Sequence, residues 1–286
     1  MTRWVTKALA VAPGVVVSTA VTLVVGPLLN PIAGFVLFFG GLFTAVLLLL
    51  GVGEGIAARL LMLSRPIRPD EQALLAPALT TLCRVGLGPP LIQLRVREKQ
   101  PAIWAAGMGR RTVVISTGLL EALTDRVLPQ DQAAAVTGHA AALTRGDWVR
   151  SGAGLAFWSL PWQLLRAVAM VVAGVARGLP MVSFAWRMRF VVIGIAVVQN
   201  IQAGLPWLAV LIGAIGAVSY AMPVWERRWQ QMMLHAGDRA LVKAGLAAPW
   251  VAFLRRCPRT ESTRSRLQTL EAPPGPTSTI GLVVAH

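Results

Sequence analysis

Three histidines, two cysteines and twelve carboxylates are the side chains through which this chain could bind a metal or move protons. Peptidase chemistry on a helix needs H-E-x-x-H. Residues four apart share a helix face, so two imidazoles grip one ion while the glutamate takes a proton from the bound water. From the first histidine the chain reads His139-Ala140-Ala141-Ala142-Leu143. One imidazole stands, but Ala140 holds the base position and Leu143 that of the second donor. A lone imidazole cannot supply the several bonds that hold a catalytic ion. By itself His139 reads as a hydrogen-bonded core or surface histidine.

Other motifs carry less. Ser116-Thr117 follows a β-branched run, without G-x-S-x-G or a histidine partner. Gly86-Leu87-Gly88 leads into Pro89-Pro90 rather than a helix, which excludes a phosphate loop. Met232-Met233 reads as helix-face packing. Asp147 and Asp238 read as helix caps or salt-bridge partners. Cys83 and Cys257 stand too far apart in sequence for a C-x-x-C pair and read as reduced thiols.

The elements that position these residues are written in the composition. Mean hydropathy is +0.63. Charged residues make up 14% of the 286 residues, below the roughly 25% of soluble domains. From Ala8 to Gly53 there is no charged residue, which is room for two spans. Gly26-Pro27-Leu28-Leu29-Asn30-Pro31 interrupts them, giving a retained transmembrane hairpin over residues 1–58 rather than a cleaved signal. Arg3 and Lys7 before it, and Arg59, Arg65 and Arg68 after it, put both ends in the cytoplasm.

A cytoplasmic α+β domain is expected over 59–150. It comprises a helix at 70–84, strands at 91–96 and 112–116, a helix from Thr117 and an alanine-rich helix at 130–144. Apolar stretches at 151–176 and 190–225 make a second hairpin. This places Arg166 near mid-span and Arg177, Arg187 and Arg189 outside, against the positive-inside rule, and leaves open that the third stretch is re-entrant. Amphipathic helix resumes at 226–254, and the tail from 271 reads as disordered. The fold class is thus mainly α: a polytopic membrane protein of about four spans with a small cytoplasmic α+β domain. The net charge of +15 is scattered at span edges, which points to anionic headgroups and away from nucleic acid.

Order and local sequence together resemble the HtpX-like membrane zinc metallopeptidases, relatives of the CAAX prenyl proteases. Ile103 to Leu120 is similar to the family's "NAFAxGxxxxxxVVVTxGLL" segment, with Ala102 in place of Asn. Gln132 to His139 resembles "ELAAVLAH", and Arg145-Gly146-Asp147 the end of the zinc helix (130–147 here). Leu234-His235-Ala236-Gly237-Asp238-Arg239-Ala240 resembles "ExxxDRxA", and Cys257-Pro258 with Arg266-Leu267 resembles "HP…R-xx-L". The similarity covers most of residues 1–271.

The resemblance implies a zincin-like domain and a third metal ligand at position 234, where this chain has leucine. It implies that Asp238 orients a ligand histidine and here could hydrogen-bond His139. His235 lies about 100° around the helix from the ligand direction. The expectation is a bacterial inner-membrane pseudopeptidase with no metal or cofactor. It would serve as a binding or regulatory subunit that holds a membrane protein, a peptide or an active homologue. The edge strand from Trp104 to Ile115, with Trp104, Ala105, Ala106 and Gly107 foremost, would add an extended peptide. Two alternatives are a divergent zinc endopeptidase of membrane quality control, using His139, Asp238 and His235 or Asp147, and a purely structural subunit.

Overall fold

The computed structural model describes residues 2–88, 91–176 and 188–272. Pro89-Pro90, the arginines at 177 and 187, and the tail from 273 with His286 lie outside the described residues. Two compact units are present. One comprises Met1–Leu63, Met108–Arg110 and Asp147–Leu234; the other comprises Ser64–Gly107, Arg111–Gly146 and His235–His286.

The first unit is helical and includes the short α3 (Glu54–Met62). Helices α1 (Arg3–Leu29) and α2 (Pro31–Leu50) flank Asn30, whose side chain accepts from the Ile32 amide at 2.8 Å and caps α2. Pro31 opens α2 at a position where a missing N–H costs nothing. A Cβ on Gly26 would meet Gly34 Cα at 2.8 Å, so the absence of side chains there lets the two backbones approach. Thr19 and Thr22 donate to carbonyls one turn back, at 2.8 Å each, so their hydroxyls do not remain unpaired on an apolar helix. Val16, Val24, Phe35 and Phe43 face outward and exposed, as suits a lipid solvent.

The third apolar stretch breaks at Ser159 into α7 (Gly152–Trp158) and α8 (Leu160–Ala176). α7 lies against the end of α2, where a Cβ on Gly154 would meet the Ala45 carbonyl at 2.8 Å. Trp158 donates to Thr19 Oγ1 at 2.9 Å and packs edge-on against Phe38. Beyond the break, the Trp162 amide donates to Ser18 Oγ at 3.1 Å and its ring lies against Gly14. Arg166 then pairs with Glu226 at 3.5 Å. Contacts along α1 thus run backwards, from Thr19 to Ser18 and Gly14, as the chain advances.

The fourth stretch, expected as one apolar run, divides at Ala203–Leu205. Gly204 there takes φ +74°, a left-handed conformation that suits glycine. The halves are α9 (Arg189–Gln202) and α10 (Pro206–Lys243). They run antiparallel. Arg189 lies 4.0 Å over the Tyr220 ring, and Cβ atoms on Gly216 and Gly213 would touch Ile193 and Val197. Among the described residues three helices are long and apolar enough to cross a membrane: α1, α2 and α10. They mark a membrane protein. α8 and α9 are shorter apolar helices.

The second unit holds a four-stranded sheet of order β1-β2-β4-β3, from β1 (Ser64–Pro66), β2 (Gln93–Arg97), β3 (Ala105–Met108) and β4 (Thr112–Ser116). β1 pairs antiparallel with β2, and β2 parallel with β4 in the register Leu94↔Val113 and Val96↔Ile115. β4 is buried along its whole length, which its run of β-branched residues anticipates. The expected edge strand from Trp104 to Ile115 is therefore two strands. Of these two, β3 is an edge of the sheet and Thr112 to Ile115 belongs to an interior strand.

Helices α4 (Pro69–Arg84), α5 (Thr117–Thr124), α6 (Gln130–Arg145), α11 (Ala247–Arg256) and α12 (Glu261–Glu271) complete the unit. Their core joins Leu75, Leu82, Val96, Val113, Ile115, Leu119 and Leu241. Ser116 caps α5 by accepting from the Leu119 amide at 3.2 Å, and it also accepts from the Trp104 amide at 3.1 Å. Thr117 bonds the Gln100 backbone in both directions, at 3.2 Å each. Both hydroxyls thus fasten the loop before β3.

Candidate functional site

α6 carries His139 and is buried along nearly its whole length. Alanines at 133–135 and 140–142 make it thin, so neighbours approach its backbone closely. Gly138 extends this: a Cβ there would press on Leu82. His139 is 8% exposed. Its ring stacks on Trp250 with centroids 5.0 Å apart, and Trp250 in turn stacks on Phe253 at 5.5 Å. Gly237 faces the other side, and any Cβ at that position would overlap the imidazole.

Asp238 stands beside His139, with Oδ1 3.5 Å from Nε2, the outer limit of a useful polar contact. Its close partners are others. Arg266 Nη2 donates to Oδ1 at 2.5 Å and Nε to Oδ2 at 2.9 Å, the fork geometry that binds carboxylates most strongly. Trp250 Nε1 donates to Oδ1 at 2.8 Å. Arg266 also lies 5.1 Å over the Trp250 ring, and its Nη2 comes within 3.4 Å of His139 Nε2.

These groups fall where α10 has passed its charge-free portion and belongs to the sheet-bearing unit. Burial alone would raise the Asp238 carboxyl. Hydrogen bonds from Arg266 and His139, and their charges, hold it well below the usual carboxylate range.

The remaining sequence-derived positions lie along the same two helices or in other elements. Ala140 is fully enclosed and Leu143 half-buried. Leu234 is half-buried on α10 and offers no donor atom. The half-buried His235 has its carbonyl bonded by Arg239 Nε at 3.2 Å. Asp147 belongs to the helical unit, where it pairs with Arg150 at 3.5 Å. Trp104, Ala105, Ala106 and Gly107 are half-buried at the β3 edge. Trp250 and Gly237 carry no motif signal, and Arg266 is legible only as part of a resemblance. A hint existed in spacing: Gly237 precedes the only aspartate of its helix.

The arrangement does not fit a zinc ion. Among the described residues no three of His, Cys, Asp and Glu gather. The one carboxylate beside the imidazole is saturated by a guanidinium and an indole. That fixed cation also faces His139 Nε2, where a second cation would be repelled. The cluster is instead a closed polar network that ties α6, α10, α11 and α12 together. No protein-family model, curated protein or solved structure matches the chain.

Proposed function

We propose that the chain is a catalytically silent relative of the HtpX-like metallopeptidases. In this reading it sits in a bacterial inner membrane with its sheet-bearing unit in the cytoplasm, and it binds an extended segment of a membrane protein along β3. The observation that carries this reading is Arg266, whose guanidinium lies against Asp238 and His139 Nε2, beside the nitrogen through which the imidazole would hold a metal. β3 supports the binding half, since an edge strand offers backbone groups to an added strand.

The same reading gives four crossings, by α1, α2, α9 and α10. Residues 64–146 and 235–272 belong to one compact unit, so an even number of crossings separates them. With α9 rising and α10 returning, Arg189 stays cytoplasmic, as the positive-inside rule asks. α7 and α8 then form a re-entrant pair, supported by the reversed order of contacts on α1 and by the Arg166–Glu226 pair.

Metal analysis and proteolysis of an unfolded membrane substrate test the silent site, and a photo-crosslinker at Ala106 tests the edge. The expected results are no stoichiometric zinc, no cleavage sensitive to EDTA, and crosslinking to extended peptide that His139→Ala leaves unchanged. Bound zinc with cleavage abolished by both EDTA and His139→Ala would instead establish the divergent endopeptidase, the reading that the His139–Asp238 proximity favours.

A further inference from the structure

At one end of the helical unit, three tryptophans and two cations converge from separate segments. α1 supplies Arg3, Trp4 and Lys7; the residues after α6 supply Asp147 and Trp148; α10 supplies Trp229. Arg3 and Lys7 stand four apart and share a face. The Arg3 guanidinium lies 5.0 Å from the Trp4 ring and 5.8 Å from the Trp148 ring. Lys7 lies 5.5 Å over the Trp229 ring and donates to the Trp148 carbonyl at 3.3 Å. Trp148 and Trp229 pack together at 5.5 Å. The one carboxylate lining this hollow, Asp147, is itself paired with Arg150.

Three cations against one carboxylate leave an excess of positive charge. Repulsion would spread such a cluster unless something held it, and here the aromatic faces hold two of the cations. A hydrated basic patch needs no such scaffold. Fixed cations one helical turn apart, walled by tryptophan and bordered by the exposed apolar Val5, match a phosphate whose remaining part is lipid. Tryptophan also favours the level of a bilayer where headgroups lie.

We infer that Arg3 and Lys7, with Trp4, Trp148 and Trp229, form a specific site for the phosphate headgroup of an anionic phospholipid. The phosphate oxygens accept from Arg3 and from the Lys7 protons not committed to Trp148. The phosphate rests at the surface beside the Trp148 and Trp229 rings, and the acyl chains run along the outer face of α1.

Native mass spectrometry of the full chain in mild detergent tests this, with phosphatidylglycerol against phosphatidylcholine as the probes. Wild type is expected to retain one phosphatidylglycerol in preference. Arg3→Gln with Lys7→Gln should weaken that retention at least about tenfold. Arg59→Gln with Arg84→Gln removes the same charge from exposed positions elsewhere and should leave retention intact. Equal loss in both double variants, or no preference in wild type, would reduce the site to general basicity and overturn the inference. Arg3→Lys with Lys7→Arg keeps the charge and must keep the lipid; if it fails equally, the effect is structural and the inference falls. Inorganic phosphate is the last arm. Displacement of the lipid by equimolar phosphate would assign the site to the free ion instead.

Discussion

A single glycine decides how close His139 sits to α10. In an open helix, Gly→Ala is worth about 1 kcal/mol in favour of alanine. At Gly237 the added methyl would drive into the imidazole, and overpacking of this kind costs about 1–3 kcal/mol. Gly237→Ala should therefore destabilise wild type yet stabilise a His139→Ala background. Denaturant unfolding of the four proteins of this cycle in detergent checks the reversal of sign; additive effects would show that the ring does not rest there.

Asp238 makes a second prediction at this scale. Its carboxyl titrates lower in the folded chain than unfolded. Its contribution is thus complete above the ordinary carboxylate value of about 4 and is lost as pH falls through the folded value. Asp238→Asn leaves the partly buried Arg266 without its anionic partner, a loss of about 3 kcal/mol at neutral pH. The gap between the two proteins should narrow only in acid, below about pH 4, as read from unfolding midpoints across pH.

At the scale of elements, the proposed crossings rest on the break at Ser159 and the break at Gly204. With Cys83→Ser and Cys257→Ser removing the native thiols, labelling Met188→Cys and Gly204→Cys with an impermeant maleimide should place position 188 on the cytoplasmic side and position 204 outside. Both outside would make α8 the crossing helix instead. Much of this level was legible in the sequence. The charge-free run of 8–53, the proline pair around Asn30, the β-branched run of β4 and the alanine-rich α6 each carry a local signal, and each became the element it indicates. Gly204-Leu205-Pro206 signals the division of 190–225, but the lack of any charged residue throughout that run hid it.

What the sequence could not deliver was long-range. Trp250 stacks on His139 from more than a hundred residues away, and Arg266 reaches Asp238 across two helices. No periodicity encodes those pairings; they depend on how the elements meet. Histidine spacing told only what His139 lacks, whereas the packing tells what it has.

At the scale of the whole molecule, each compact unit is assembled from three separated stretches of chain, and the final stretch belongs to the sheet-bearing one. A ribosome therefore releases the partners of His139 last. Sheet and α6 emerge early, while Asp238, Trp250 and Arg266 appear only after every apolar segment has been made. Domains generally fold as units, the earlier ones first during synthesis; here the earlier-made half of this unit must wait for membrane insertion to finish. During that interval the side of α6 that meets Asp238, Trp250 and Arg266 is uncovered, and its maturation is timed by translation of residues 235–272.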